Sequence, residues 1–482
     1  MRDSVRRKSG RTGTSGERIP RSSRVVAGCL LVLLLLLVST GLGDAAEDPA
    51  PSNAVPTLAG ERFALTVDTG VVAQKEGAEE AKKSQKKLLV IPYPLFNSTF
   101  GVGLGVGVIA QGYLQPRAMT VGTAIVGSGS YLVFFKELNY LLPWWKRIIL
   151  EPDGYVAKYS DVKSYSGSSN QNYVGQRAGS NESSRYNYIL SDTTDHFVDL
   201  VTKFVLPIGQ GKDNVLPNIV LDERGLFVSG DTGGDVWNPL TSGRTYLEVI
   251  PFERRQVLTD NNSNTKTVGI DIGLRYDNTD FRGNPSKGSM QRVWFVRDWG
   301  ALGSTNTYSV VGAEYSKYFS LGPSNRARQR TFAFDIWTVN CPTWETITTA
   351  TGLPSAIHRP PAYKGASLGG LSRLRSYEAT RFNDQAGILY TLEYRYALNY
   401  NPLKNVTMGG KLDVAWFQIV PFLEVGRVAP AWNLDTLHKS MKVDAGVGIR
   451  AMVNHIVVRI DAAGGDEGFG TQMFISHPFP FY

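Results

Sequence analysis

From about Leu88 onward, apolar and polar residues alternate along the chain with a period of two. Between Phe100 and Val108 every even position is apolar and every odd one is glycine. Val268, Ile270, Ile272, Leu274 and Tyr276 share one face, while Asp271, Arg275 and Asp277 lie on the other. Tyr390, Leu392, Tyr394, Tyr396 and Leu398 alternate with Thr391, Glu393, Arg395 and Ala397. The same pattern returns around Val443 to Ala451 and Ile456 to Asp461. Such alternation marks a strand with one apolar and one wet face, because successive side chains point to opposite sides of a sheet.

A soluble sandwich also alternates, usually over shorter runs and with its apolar side toward a core. Here the runs are long and the polar face carries charge. That combination suits strands with lipid outside and a hydrated lumen inside, closed so that no edge is left unpaired. Roughly fifteen or sixteen such segments lie between residues 99 and 479, a number in the range of outer-membrane barrels. The pattern therefore predicts an all-β fold over residues 88–482, a 16-stranded antiparallel transmembrane β-barrel.

The segment before Leu88 reads differently. A basic stretch leads into fourteen apolar residues, Val25 to Val38, followed by small residues up to Ala45. This run falls short of the roughly 20 apolar residues a membrane-crossing helix needs, and its flanks suit a cleaved secretory signal peptide over residues 1–45. A retained membrane anchor is the alternative. Residues 46–87, rich first in Pro, Ala and Ser and then in Lys and Glu, read as a flexible periplasmic segment.

Charge and cysteine usage narrow the picture further. The formal charge of +8 divides into +5 over residues 1–45 and +3 over the rest. A nearly neutral mature chain gives no reason to expect a nucleic-acid partner. Cys29 lies in the apolar run, so the mature chain keeps Cys341 alone and forms no internal disulfide. The five histidines are scattered singly, without metal-ligand spacing. The expectation is a chain that is not an enzyme and needs no metal or other cofactor.

Four segments in a consistent order carry a more specific signal. Gly369 to Glu378 (GGLSRLRSYE), followed by the strand Ala386 to Leu398, resembles the hallmark loop and next strand of the BamA-type barrel superfamily, which includes the bacterial surface antigens. Phe422-Leu423-Glu424-Val425-Gly426 resembles that family's Phe-x-Asp-x-Gly strand, with Glu in place of Asp. Asp277 to Gly288 resembles its hairpin with a Pro-x-x-Gly turn, and Gly470 to Phe479 its closing strand. The resemblance implies a loop inserted into the lumen with Leu374, Arg375, Ser376 and Tyr377 at its tip. On the residues alone, Arg375 reads as a solvated loop arginine and Glu424 as an unrelated lumen acid. The resemblance pairs them, and a guanidinium can grip a carboxylate through two parallel hydrogen bonds. Phe422, Glu424 and Gly426 share one strand face, and Glu393 and Asp444 are further candidate lumen acids. Ser376 stands where the family has glycine, so the tip backbone there must avoid conformations that glycine reaches most easily.

The resemblance also implies a seam between first and last strands that opens sideways. Gly101, Gly103, Gly105 and Gly107 would line a pliable first strand, with Met473, Ile475 and Phe479 across the seam. Pro478 and Pro480 lack backbone N–H groups and would leave the seam poorly paired. They suit a frayed terminus equally well. The 46–87 segment is too short for one of the family's periplasmic POTRA modules, so a standalone barrel is expected. By resemblance its function lies in outer-membrane biogenesis, inserting or translocating proteins or moving lipid. The implied partners are outer-membrane lipids, client outer-membrane proteins and a periplasmic chaperone or receptor. A passive pore or structural barrel is the alternative.

Overall fold

The computed structural model describes residues 71–72, 86–97, 100–165, 171–173, 176–234, 236–260, 263–348, 354–403, 413–454 and 456–475. The signal-peptide reading of residues 1–45, almost all of the 46–87 segment, Phe479 and both closing prolines lie outside the described residues.

Sixteen long strands follow one another along the chain. They are β1 (Lys87–Asn97), β2 (Gly101–Gln111), β3 (Met119–Gly127), β4 (Ser130–Leu138), β5 (Ile148–Ser164), β6 (Ile189–Val205), β7 (Arg244–Leu258) and β8 (Ser263–Asp277). Then come β9 (Gly288–Trp299), β10 (Thr307–Ser320), β11 (Ala327–Asn340), β12 (Ala386–Leu398), β13 (Val414–Ala429), β14 (Lys442–Val453), β15 (Ile456–Gly465) and β16 (Gly468–Ile475). Each pairs antiparallel with the next in one large sheet. Tyr140–Leu141 adds a short further strand beside β5. Among the described residues the one α-helix is Leu434–Leu437, a single turn capped by the Asn433 side chain.

The two faces of the sheet reverse the usual distribution of polarity. Leu274 is 47% exposed and Leu423 42%, whereas Glu248 is 0% exposed and Arg275 1%. On β12, Leu392 faces outward while Thr391, Glu393 and Arg395 are buried. Charged side chains are almost never fully buried unless they are paired, and here pairing is systematic. Arg292 reaches both Glu248 (2.7 Å) and Asp271 (2.9 Å), and Arg254 grips Asp195 with two hydrogen bonds of 3.0 and 2.5 Å. The sheet curls far enough for distant strands to meet on this inner face, as when Gln418 of β13 donates to Asn284 between β8 and β9.

The glycine-rich strand departs from its expected place. Lys87–Asn97 precedes it and pairs along its whole length, and β3 pairs with its other edge, so the glycines lie on the second strand. They also have a packing role that the sequence does not announce. A Cβ on Gly105 would lie 2.3 Å from the ring of Tyr93, so the ring occupies the space the glycine leaves, and the Tyr93 hydroxyl reaches Thr123 Oγ1 at 2.6 Å. Phe100 does not continue the outward row of Val102 and Leu104. It turns inward, fully buried, with its ring edge-on to Tyr159.

The long connections leave opposite ends of the sheet. Residues 165–188 and 341–385 follow upward strands β5 and β11 and share one end, while residues 206–243, after β6, lie at the other. Val293 sits midway along β9 and is 54% exposed. Placing arginine there should cost about 2–4 kcal/mol if that face meets lipid at mid-depth. Urea titration of Val293→Arg in lipid bilayers checks this, and a midpoint equal to the unsubstituted protein's would contradict a lipid-facing exterior.

Candidate functional site, a loop held by buried arginine

The connection between β11 and β12 folds as a hairpin. Its stem pairs Ala366–Leu368 with Phe382–Asp384. Its tip closes on itself, Gly369 N–H donating to the Arg373 carbonyl (2.9 Å) and Tyr377 N–H to the Leu374 carbonyl (3.0 Å). The departure from glycine at Ser376 is accommodated one turn earlier. Gly369 and Gly370 have φ of 104° and 116°, and two non-glycine residues of the hairpin, Leu374 (φ 50°) and Thr380 (φ 51°), also lie in the left-handed region. The Leu374 side chain is fully buried and packs in a cluster with Tyr377, Phe382, Leu389 and Val428. That burial supports a conformation which costs about 1–3 kcal/mol when unsupported.

Arg375 is completely buried among carboxylates from three strands. Its guanidinium reaches Glu393 of β12 at 3.2 Å, Glu424 of β13 at 3.3 Å and Asp461 of β15 at 2.8 Å. It lies over the Phe422 ring, 3.4 Å from the centroid. Burial alone disfavours the charge, but Glu424, Asp461 and Glu393 outweigh it and raise the guanidinium's pKa above its ordinary value. The backbone of the tip is held as firmly. Arg375 N–H donates to Glu424 (2.8 Å) and Ser376 N–H to Asp444 of β14 (2.7 Å). Glu424 and Asp444 stand directly opposite each other on β13 and β14. Two like charges so placed repel, and these two tip N–H groups supply donors to both.

Sequence reading brings Leu374, Arg375, Ser376, Tyr377, Phe422, Glu424, Gly426, Glu393 and Asp444 to this part of the molecule, and the structure gathers all nine there. Gly426 lies beneath the stem, where a Cβ would come within 3.0 Å of Leu368. Further participants carry no motif. Asp461 takes one arm of Arg375 and also pairs with Arg459, which donates to the Leu371 carbonyl at 2.6 Å. Arg450 and Arg395 both bind Glu393, at 2.6 and 2.9 Å. Gln472 of β16 donates to the carbonyls of Gly370 (2.7 Å) and Arg375 (2.6 Å). Their signal in the sequence is position alone: each falls on the polar face of a strand, with nothing to mark it from other polar-face residues.

The seam candidates are arranged otherwise. Gly101, Gly103, Gly105 and Gly107 lie on β2, and Met473 and Ile475 on the last strand, β16.

Around the tip the end of β5 and the loop that follows it close over the stem. Lys163 pairs with Glu378 (2.8 Å), Arg177 with Asp384 (2.6 Å), and Asn383 N–H donates to the Gly179 carbonyl (2.7 Å). Gly179, at φ 79°, leaves space that the Asn383 side chain fills. Arg381 forks onto Glu467 at 2.8 and 2.7 Å. At the foot of the loop Cys341 is buried and free, and burial pushes its thiol up to about 12.

Two outcomes test this geometry. Arg375→Ala leaves three buried carboxylates short of their shared cation, and removing one partner of a buried pair costs about 3–5 kcal/mol. The unfolding midpoint should fall accordingly and protease should cut within residues 341–385. Arg375→Lys keeps the charge but loses the fork and should fall between; an unchanged midpoint for the alanine variant contradicts the cage. Cys341 should resist maleimide in the folded protein at neutral pH and gain reactivity only as pH climbs toward 12. Rapid labelling at pH 7 would contradict its burial.

No curated protein sequence matches the chain. Among solved structures it is similar to BamA from Haemophilus ducreyi lacking POTRA domains 1–3, at 12% identity and a TM-score of 0.41, covering 81% of this chain and 69% of that one. It is also similar to CdiB from Acinetobacter baumannii (10% identity, TM-score 0.46, 86% of this chain and 64% of that one). For CdiB from Escherichia coli the values are 13%, 0.49, 86% and 67%. The model of the Omp85 superfamily domain matches residues 154–464, a span that holds the long loop and every carboxylate of its cage. The chain belongs to the Omp85 superfamily.

Proposed function

We propose that the sheet closes as a 16-stranded β-barrel in a bacterial outer membrane, reached through a cleaved signal peptide over residues 1–45. In this reading it acts without enzymatic chemistry in outer-membrane biogenesis. It inserts or translocates protein chains, or moves lipid, through the seam between β1 and β16. The observation that carries the reading is the Arg375 cage. A loop from the β11–β12 end is fastened to β12, β13, β14 and β15, and through Gln472 to β16, the strand at the proposed seam. Such a loop occupies the interior and leaves the strand edge as the place where a client can be handled. The reversed polarity of the sheet supports the membrane setting, since lipid offers no partner for charge and water fills the other side. Membership of the Omp85 superfamily supports the class of function.

The partners on this reading are outer-membrane lipids, client outer-membrane proteins and a periplasmic chaperone or receptor. A passive pore is the competing reading, and a loop pinned to the inner face of five strands disfavours it.

Photo-crosslinking in living cells from Val90 on β1 and Met473 on β16, both exposed, tests the seam. Adducts with other outer-membrane chains are expected. Adducts with lipid alone, together with normal growth when a disulfide locks β1 to β16, would remove the protein-handling role. Lipid handling would survive only if locking slowed lipid movement.

A further inference from the structure

At the end opposite the pinned loop, residues 206–243 carry a second hairpin, Asn218–Leu221 paired with Phe227–Gly230. It is rooted between β6 and β7. Asp231 fixes the root, accepting from Asn218 N–H (2.6 Å), Asn214 Nδ2 (2.6 Å) and Arg244 (2.9 Å). The turn at the far end does not return to those strands. A Cβ on Gly225 would lie 2.7 Å from Ala415 Cβ of β13 and 3.1 Å from Met452 Sδ of β14. Leu221, Leu226 and Phe227 pack with Trp416, Met452 and Val457. Root and tip are thus separated by seven strand positions in one direction and nine in the other round a ring of sixteen.

We infer that hairpin 218–230 is a plug that crosses the mouth opposite the long loop and closes the interior there, in series with that loop. This rests on the proposed closure of the barrel. The mouth is spanned from one wall to the facing wall by a segment with a polar root and an apolar tip. Apolar contact at the tip is non-directional and can be released without breaking a strand pair, so the tip is the end that moves. Gly225, at φ 69° in a turn against the wall, is the position where any side chain must lift the tip.

Single-channel recording of the full chain in planar bilayers tests the plug. The unsubstituted protein should be nearly silent, and Gly225→Glu alone should stay within about twofold of it while the long loop remains in place. Gly225→Glu with Arg375→Ala should raise mean conductance at least about tenfold over either single variant. If Arg375→Ala alone conducts as much as the double variant, the hairpin adds no seal and the inference fails. If the double variant is silent, although it migrates as a folded heat-modifiable barrel, the inference fails as well. If Gly225→Glu alone conducts as much as the double variant, the plug stands and it is the loop's sealing role that falls. Leu226→Asp removes the apolar anchor without touching the barrel strands and replaces Gly225→Glu should that variant not assemble.

Discussion

Burying a charge is costly unless another charge and several hydrogen bonds compensate it. This molecule places buried charge on every strand from β4 to β15, and its architecture follows from satisfying that constraint. Around Arg375 the solution is a balanced set: Arg375, Arg395, Arg450 and Arg459 against Glu393, Glu424, Asp444 and Asp461, all buried. Seven of the eight belong to strands β12 to β15, and the eighth arrives on a loop. Without Arg375 the strand residues number three guanidinium groups and four carboxyl groups in a confined volume. The loop therefore completes the wall electrically as well as covering it.

Glycine has a steric counterpart to this role. Phe422 stands opposite Gly446 across β13 and β14, and a Cβ on that glycine would lie 2.4 Å from the Phe422 ring. The ring in turn forms the floor on which the Arg375 guanidinium rests. Trp294 over Gly312 and Tyr93 over Gly105 repeat the arrangement elsewhere. An inner wall of alternating large rings and absent side chains lets large polar groups approach the backbone closely. Gly465 and Gly470 extend the rule to the loop, lying under the Ser376 hydroxyl and the Arg375 carbonyl.

Much of the fold is legible in the sequence because a strand with two unlike faces writes its period directly into residue order. The rows around Ile272, Leu392 and Val447 all face outward as that period requires. The order of the first strands is less legible. Lys87–Asn97 contains two prolines and no clean alternation, so the glycine strand that follows looks like the beginning. Arg375 and Glu424 stand out because their neighbours form a motif. Asp461, Arg450 and Gln472 do not, because only the register of β14, β15 and β16 turns them toward the same few ångströms of space. The hairpin at 218–230 is invisible for the same reason, its partners lying about 200 residues away.

Chain order gives the loop one more consequence. It is synthesised before β12, yet Arg375 and Ser376 at its tip bind strands that come after it, as far as Gln472. The closing strands must gather around a segment already present, which serves them as a mandrel. Each successive anchor, Glu393, Glu424, Asp444, Asp461 and then Gln472, lies farther along the chain. Loop-closure entropy grows only slowly with such separation, so the later contacts cost little more than the first. Strands β12 to β16 thus meet the loop in chain order, from its stem toward the last strand.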